Sequence, residues 1–130
     1  MTDRRNESAI ALCRKITRER GAYLSTITVA EILTGAYLRS ETAVQKARRV
    51  LGQFQWIDVD GTIAEKTAQL TGYLLTAGKI IEFQDIIIAA TTLVLEATLF
   101  ITQNPDHFKR IPLLANIVKT LDEASNFSSP

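Results

Sequence analysis

The sequence predicts an α/β domain built on a doubly wound parallel sheet flanked by helices. Three observations carry this. Short apolar runs such as "AYLST" (residues 22–26) and "TLFIT" (98–102) are bounded by turn residues, as in strands covered on both faces. Segments of helical period separate them, the alternation expected of parallel strands joined by helical crossovers. With 130 residues, 46% hydrophobic and 22% charged, the chain can bury one core of ordinary domain size and is too apolar for overall disorder. One domain is expected over residues 1–122, followed by a polar tail at 123–130.

The elements follow in order. "NESAIALCRKITRERG" places Ile10, Leu12, Cys13 and Ile16 at helical spacing, with Asn6 or Ser8 as N-cap and Gly21 after the end. "AYLST" reads as a buried strand. Residues 28–40 and 41–54 read as helices, the second with Val44, Ala47, Leu51 and Phe54 inward. "WIDVD" (56–60) alternates apolar and acidic residues as a half-covered strand does, and Asp60-Gly61 supplies a turn. Helical period returns over 62–79, with Ile63, Ala64, Thr67, Leu70, Leu74 and Leu75 recurring before Gly78 ends it. A connection "KIIEF" leads to an apolar helix over 84–97, the strand "TLFIT", a loop "QNPDHFKRIP" and a last strand "NIVKT". Cys13 and Trp56 read as core-facing.

Composition narrows the function. The formal net charge is +1, so nucleic-acid contact, if present, is local. One cysteine, Cys13, and one histidine, His107, exclude an intrachain disulfide, a multi-cysteine zinc site and an HExxH pair. A metal would need oxygen ligands. No apolar run approaches the ~20 residues that span a bilayer, and the N-terminus lacks a signal-peptide pattern. A cytoplasmic protein without membrane contact is the expectation.

Ligands of open parallel sheets bind beyond the carboxyl ends of the strands. Glu31 lies after "AYLST", Asp85 opens the helix "QDIIIAATTLVLEA", and Asn104 and Asp106 follow "TLFIT". Carboxylates converging there would repel unless a divalent cation neutralised them, and oxygen donors suit Mg²⁺ or Mn²⁺. Each residue also has a plainer reading. Thr28 and Glu31 form T-x-x-E, a capping box in the first turn of the expected helix. Asp85 complements a helix dipole, and Asn104-Pro105-Asp106 is turn chemistry. His107 reads as a surface or loop histidine. Ser25, Thr26 and Thr28 have no histidine nearby in sequence, so nucleophilic catalysis has little support. "KARRV" and "RRN" read as solvated helix faces.

The blocks "LSTITVAEILTGAY" and "IIEFQDIIIAATTLVLEATLFITQNPDHFKRIPLL" resemble the PIN-domain family, especially VapC-type toxins of toxin–antitoxin pairs. The resemblance covers about residues 6–120. Its more specific part is an acidic residue opening an "IAA" helix, then a strand, T-x-N-x-x-H/D-F and Ile-Pro. It implies a Mg²⁺-dependent endoribonuclease that hydrolyses RNA phosphodiester bonds. Glu31, Asp85 and Asn104 match catalytic and metal-holding positions. Asp106 matches a frequently acidic loop position that could also face the metal, and Thr102 a supporting threonine. Lys79, Lys109 or Arg110 would touch the RNA backbone. The implied partners are RNA, a cognate antitoxin and a second copy of the chain.

The family also begins with a hydrophobic strand ending in a catalytic aspartate, placed in its sheet between the strands matched by "AYLST" and "TLFIT". "MTDRRNESAIALC" offers no counterpart, and Asp3 matches a later aspartate of that pattern. An N-terminally truncated relative is therefore expected. Three readings stay open: a nuclease whose natural start lies upstream of Met1, a catalytically inactive PIN-like protein that binds an antitoxin or other partner, and a non-nuclease α/β domain sharing only topology.

Overall fold

The computed structural model describes residues 21–120 and Glu123. The expected first helix, Cys13 and Asp3 lie outside the described residues, as does the polar tail apart from Glu123. The chain divides into two compact units, Met1–Asp58 and Val59–Pro130.

In the first unit, strand β1 (Tyr23–Ser25) runs straight into helix α1 (Thr26–Tyr37). Ser25 ends the strand and caps the helix, its hydroxyl accepting from Ile27 N at 3.2 Å. Helix α2 (Glu41–Leu51) starts at the Ser40 cap, whose hydroxyl accepts from Ala43 N at 3.0 Å. Glu41 in its first turn and Arg48 and Arg49 in its last complement the dipole. α1 packs against α2 and both strands of this unit. Of the expected inner face of α2, Val44 and Leu51 are buried, while Ala47 and Phe54 are half-buried.

Strand β2 (Gln55–Ile57) pairs in parallel with β1, Leu24 opposite Trp56. It starts and stops earlier than "WIDVD" suggests. Two expectations fail here. "AYLST" is not buried throughout: Ser25 is buried, but Tyr23 is exposed. Trp56 is not core-facing. It is 47% exposed, and its Nε1 donates to Leu51 O at 2.9 Å. An indole edge satisfied by the end of α2 lets the ring lie on the surface.

The second unit is organised by two helices packed on each other, α3 (Gly61–Thr76) and α4 (Phe83–Val94). Asp60 caps α3, Oδ1 accepting from Ile63 N at 2.9 Å. Ile63, Thr67, Leu70 and Leu74 form its buried stripe at spacings of four, three and four. Ala64 and Leu75, also read as part of this stripe, are exposed. Gly78 ends α3 at φ +72°. Gly78 N donates to Leu75 O at 3.1 Å and Lys79 N to Leu74 O at 2.8 Å, the paired bonds of a Schellman motif. α4 ends in the same way on Glu96, at φ 52° without the freedom of glycine: Glu96 N donates to Leu93 O and Ala97 N to Thr92 O.

Six helical threonines are bonded within their own helices. Thr34, Thr67, Thr71, Thr76, Thr91 and Thr92 each donate Oγ1 to the carbonyl four residues back, at 2.7 to 2.9 Å. Buried Thr67, Thr91 and Thr92 therefore present satisfied hydroxyls and free methyl groups.

Strands β3 (Phe100–Ile101) and β4 (Val118–Lys119) are parallel, and Thr102 N donates to Lys119 O at 3.0 Å. The loop expected between them contains a short helix, α5 (Pro105–Lys109). The parallel sense of both pairs and the alternating helices are as expected. Among the described residues the strands form two separate pairs.

Candidate functional site

In the first unit, Glu31 is the sixth residue of α1 and exposed. The expected capping box does not form. The helix begins at Thr26 under the Ser25 cap, so Thr28 already lies inside it and Glu31 falls beyond its first turn.

In the second unit, Asp85 stands in the first turn of α4 as expected. Buried Ile86, Ala89 and Ala90 pin that helix to its neighbours, which fixes the backbone from which the carboxylate leaves. The residues after β3 form a tight turn. Asn104 N donates to Thr102 Oγ1 at 3.0 Å, so Thr102 supports Asn104 through its backbone. Asn104 is the N-cap residue of α5, yet its side chain makes no cap bond. Its carbonyl accepts from His107 N at 3.2 Å. Pro105 occupies the first turn, where a missing N–H costs nothing.

Phe108 anchors α5. It is 4% exposed, and its ring lies 4.7 Å from that of Phe100 at 53°, a tilted pair of the favourable kind. The neighbouring His107 turns outward and meets Asp85, Nδ1 to Oδ2 at 3.4 Å. This contact joins the helix carrying Asp85 to the turn carrying Thr102 and Asn104. Asp106 is exposed in the first turn of α5. His107 is the member of this cluster that the sequence presents only as a surface or loop histidine. Its place in T-x-N-x-x-H/D-F was the available signal, but a contact spanning 22 residues needs the fold to reveal it.

Among the described residues, no three His, Cys, Asp or Glu side chains gather as an ion site. What the second unit offers is a partly exposed carboxylate with Oδ1 outside the histidine contact, near a turn carrying an uncommitted amide. Those oxygen donors fit a hydrated Mg²⁺, which takes one or two carboxylates and keeps several waters, and do not fit a closed four-ligand cage. A groove of about 330 Å³, lined by Leu70, Tyr73, Ile111 and Leu113 among others, contains none of these residues. Glu123 is held below the ordinary glutamate value, first by the Thr120 backbone N–H and then by the Thr120 hydroxyl. Glu123 Oε1 accepts from Thr120 N at 3.0 Å and Thr120 Oγ1 from Glu123 N at 3.2 Å, the reciprocal bonds of a capping box.

No family model matches the chain, and no curated protein matches it. Solved structures do. The chain is similar to VapBC-1 from nontypeable Haemophilus influenzae, with a TM-score of 0.72 and 21% identity over 86% of each chain. It is also similar to VapBC2 from Rickettsia felis bound to a DNA fragment from their promoter, with a TM-score of 0.72 and 24% identity over 91% of this chain and 88% of that one. The fold is VapC-like, that of a PIN domain. Within this PIN-like fold, the mixed helices and short parallel strands agree with the sequence expectation. Among the described residues, no helix is long and apolar enough to cross a membrane.

Proposed function

We propose that the chain is a VapC-like toxin that hydrolyses RNA phosphodiester bonds with Mg²⁺, or Mn²⁺ in its place, and is held in check by a cognate antitoxin. The observation that carries this reading is the His107 contact, which ties Asp85 to the Thr102–Asn104 turn within a VapC-like PIN fold. Asp85, Asn104 and Asp106 are the proposed metal-facing residues of the second unit; Glu31, on its own unit, keeps the metal-holding role only as what the family resemblance implies. Once bound, the ion would supply a water activated near neutral pH and neutralise charge developing on the phosphoryl oxygens. Asp85 contributes the negative charge that attracts the cation. The Asn104 amide orients a water or a phosphate oxygen, while Thr102 keeps the Asn104 backbone in place.

Support for a partner comes from the surface. Leu75, Ile80 and Phe83 are exposed around a depression of about 120 Å³, apolar side chains that a partner would cover. The similar structures are VapBC complexes. A homodimer in the cytoplasm completes the proposal.

The test is incubation of the 130-residue chain with mixed-sequence single-stranded RNA, with and without Mg²⁺. Cleavage that needs Mg²⁺ and disappears in Asp85→Ala is the expected result. Absence of Mg²⁺-dependent cleavage overturns the nuclease reading in favour of a catalytically inactive PIN-like protein that binds an antitoxin or other partner.

A further inference from the structure

We infer that His107 is a positioning residue for Asp85: its imidazole, protonated on Nδ1, holds carboxylate Oδ2 and leaves Oδ1 as the oxygen that faces a ligand. The inference deepens the proposed nuclease reading and rests on it for the purpose of the contact. The contact itself can be tested without catalysis.

Phe108 is fixed by burial and by the Phe100 ring, and His107 N is bonded to Asn104 O. Successive helical residues point about 100° apart, so anchoring Phe108 inward sends His107 out of the core, where it meets the first turn of α4. The imidazole therefore rests on a braced stem although 46% of its side chain is exposed.

The chemistry then fixes the proton. An ionised carboxylate only accepts hydrogen bonds, and a neutral imidazole carries its one N–H on either nitrogen. With Nδ1 against Oδ2, the favourable form has the hydrogen on Nδ1 and a bare Nε2. The terminal torsion of an aspartate is broad and nearly two-fold, so a donor at one oxygen selects an orientation the side chain lacks by itself. An exposed pair of this kind adds little to stability. Its consequence is directional: it decides which oxygen is committed and which is open. The 3.4 Å separation is long for such a bond, as contacts of this sort commonly are before substrate arrives.

His107 is the only histidine in the sequence, so its ring signals need no assignment. The experiment is a long-range proton–nitrogen correlation spectrum of the ¹⁵N-labelled full chain, in buffer alkaline enough to keep the ring neutral. The expected wild-type spectrum has Nδ1 in the protonated range and Nε2 in the unprotonated range, and Asp85→Ala exchanges the two. A wild-type ring protonated on Nε2, or a spectrum unchanged by Asp85→Ala, overturns the inference. A second arm uses RNA cleavage. The amide nitrogen of His107→Asn stands where Nδ1 stood, so this variant keeps the rate within a few-fold, whereas His107→Leu lowers kcat about tenfold with KM unchanged. Equal rates in the two variants also overturn positioning. If the wild type cuts no RNA, the proposed function fails, and the tautomer spectrum still decides the role of His107.

Discussion

Lys79 and Arg110 hold one another's strands of backbone. Lys79 Nζ donates to Arg110 O at 2.9 Å, and Arg110 Nη1 reaches back to Ile80 O at 3.4 Å. The Schellman bonds that close α3 fix the Lys79 backbone, so its long side chain spans from a defined base to the segment after α5. Two cations read from sequence as possible RNA contacts thus also have a structural task. Lys79→Met should cost about 1 kcal/mol, the net value of an ordinary hydrogen bond. Because the acceptor is a neutral carbonyl, the loss should be the same in low and high salt by urea denaturation. A loss that vanishes in high salt would point instead to an ion pair.

The two helix ends offer a paired test. Gly78 and Glu96 occupy equivalent positive-φ positions, at 72° and 52°. Gly78→Ala should destabilise by about 1 kcal/mol, the cost of placing a Cβ in the left-handed region. Glu96→Gly should stabilise by about 0.5 to 1 kcal/mol by relieving that same cost. Chemical denaturation midpoints moving in the same direction for both would contradict the matched geometry.

Asp85 separates activity from stability. Asp85→Asn should reduce RNA cleavage by about 100-fold or more, on the scale of removing an electrostatic catalytic group. The same change should cost about 0.5 kcal/mol of stability, since it removes one favourable charge from a helix N-terminus. Chelation of divalent ions should abolish wild-type cleavage, and added Mg²⁺ should restore it. A variant that lost activity only through unfolding would show its deficit in the thermal melt.

Glu123 sets a pH-dependent contact. Its folded-state pKa is lowered by the Thr120 bonds. The contribution is therefore complete above the unfolded-state value and drains away as pH falls through the depressed folded value. A carboxyl-carbon titration by NMR should give a midpoint below the ordinary 4.5, with the Thr120 amide resonance moving in parallel. A midpoint at or above that value removes the reciprocal pair from consideration.

Much of this fold is legible in the sequence because its signals are local. Asp60 and Gly78 bracket α3 by cap and left-handed turn, and Ile63, Thr67, Leu70 and Leu74 mark its buried stripe. Asp85 falls in a first turn because the apolar period of α4 starts beside it. The misses have physical causes. T-x-x-E at Thr28–Glu31 is a sound capping pattern, but Ser25 caps three residues earlier. The same pattern forms at Thr120–Glu123 instead. Five residues are too few for α5 to show a helical period, although Asn104-Pro105 carries a helix-start signature alongside its turn signature. Trp56 looks like core until its Nε1 finds Leu51 O. His107 depends on a long-range contact that no spacing encodes.

The back-bonded threonines change what kind of contact α3 and α4 make. Thr67, Thr91 and Thr92 settle their hydroxyls on their own helices, so neither helix depends on the other to complete a polar bond. Their packing is governed by shape alone. Either helix can exchange a threonine for valine without stranding a polar atom on its neighbour, which leaves the pair free to diverge one residue at a time while Asp85 stays on the same rigid support.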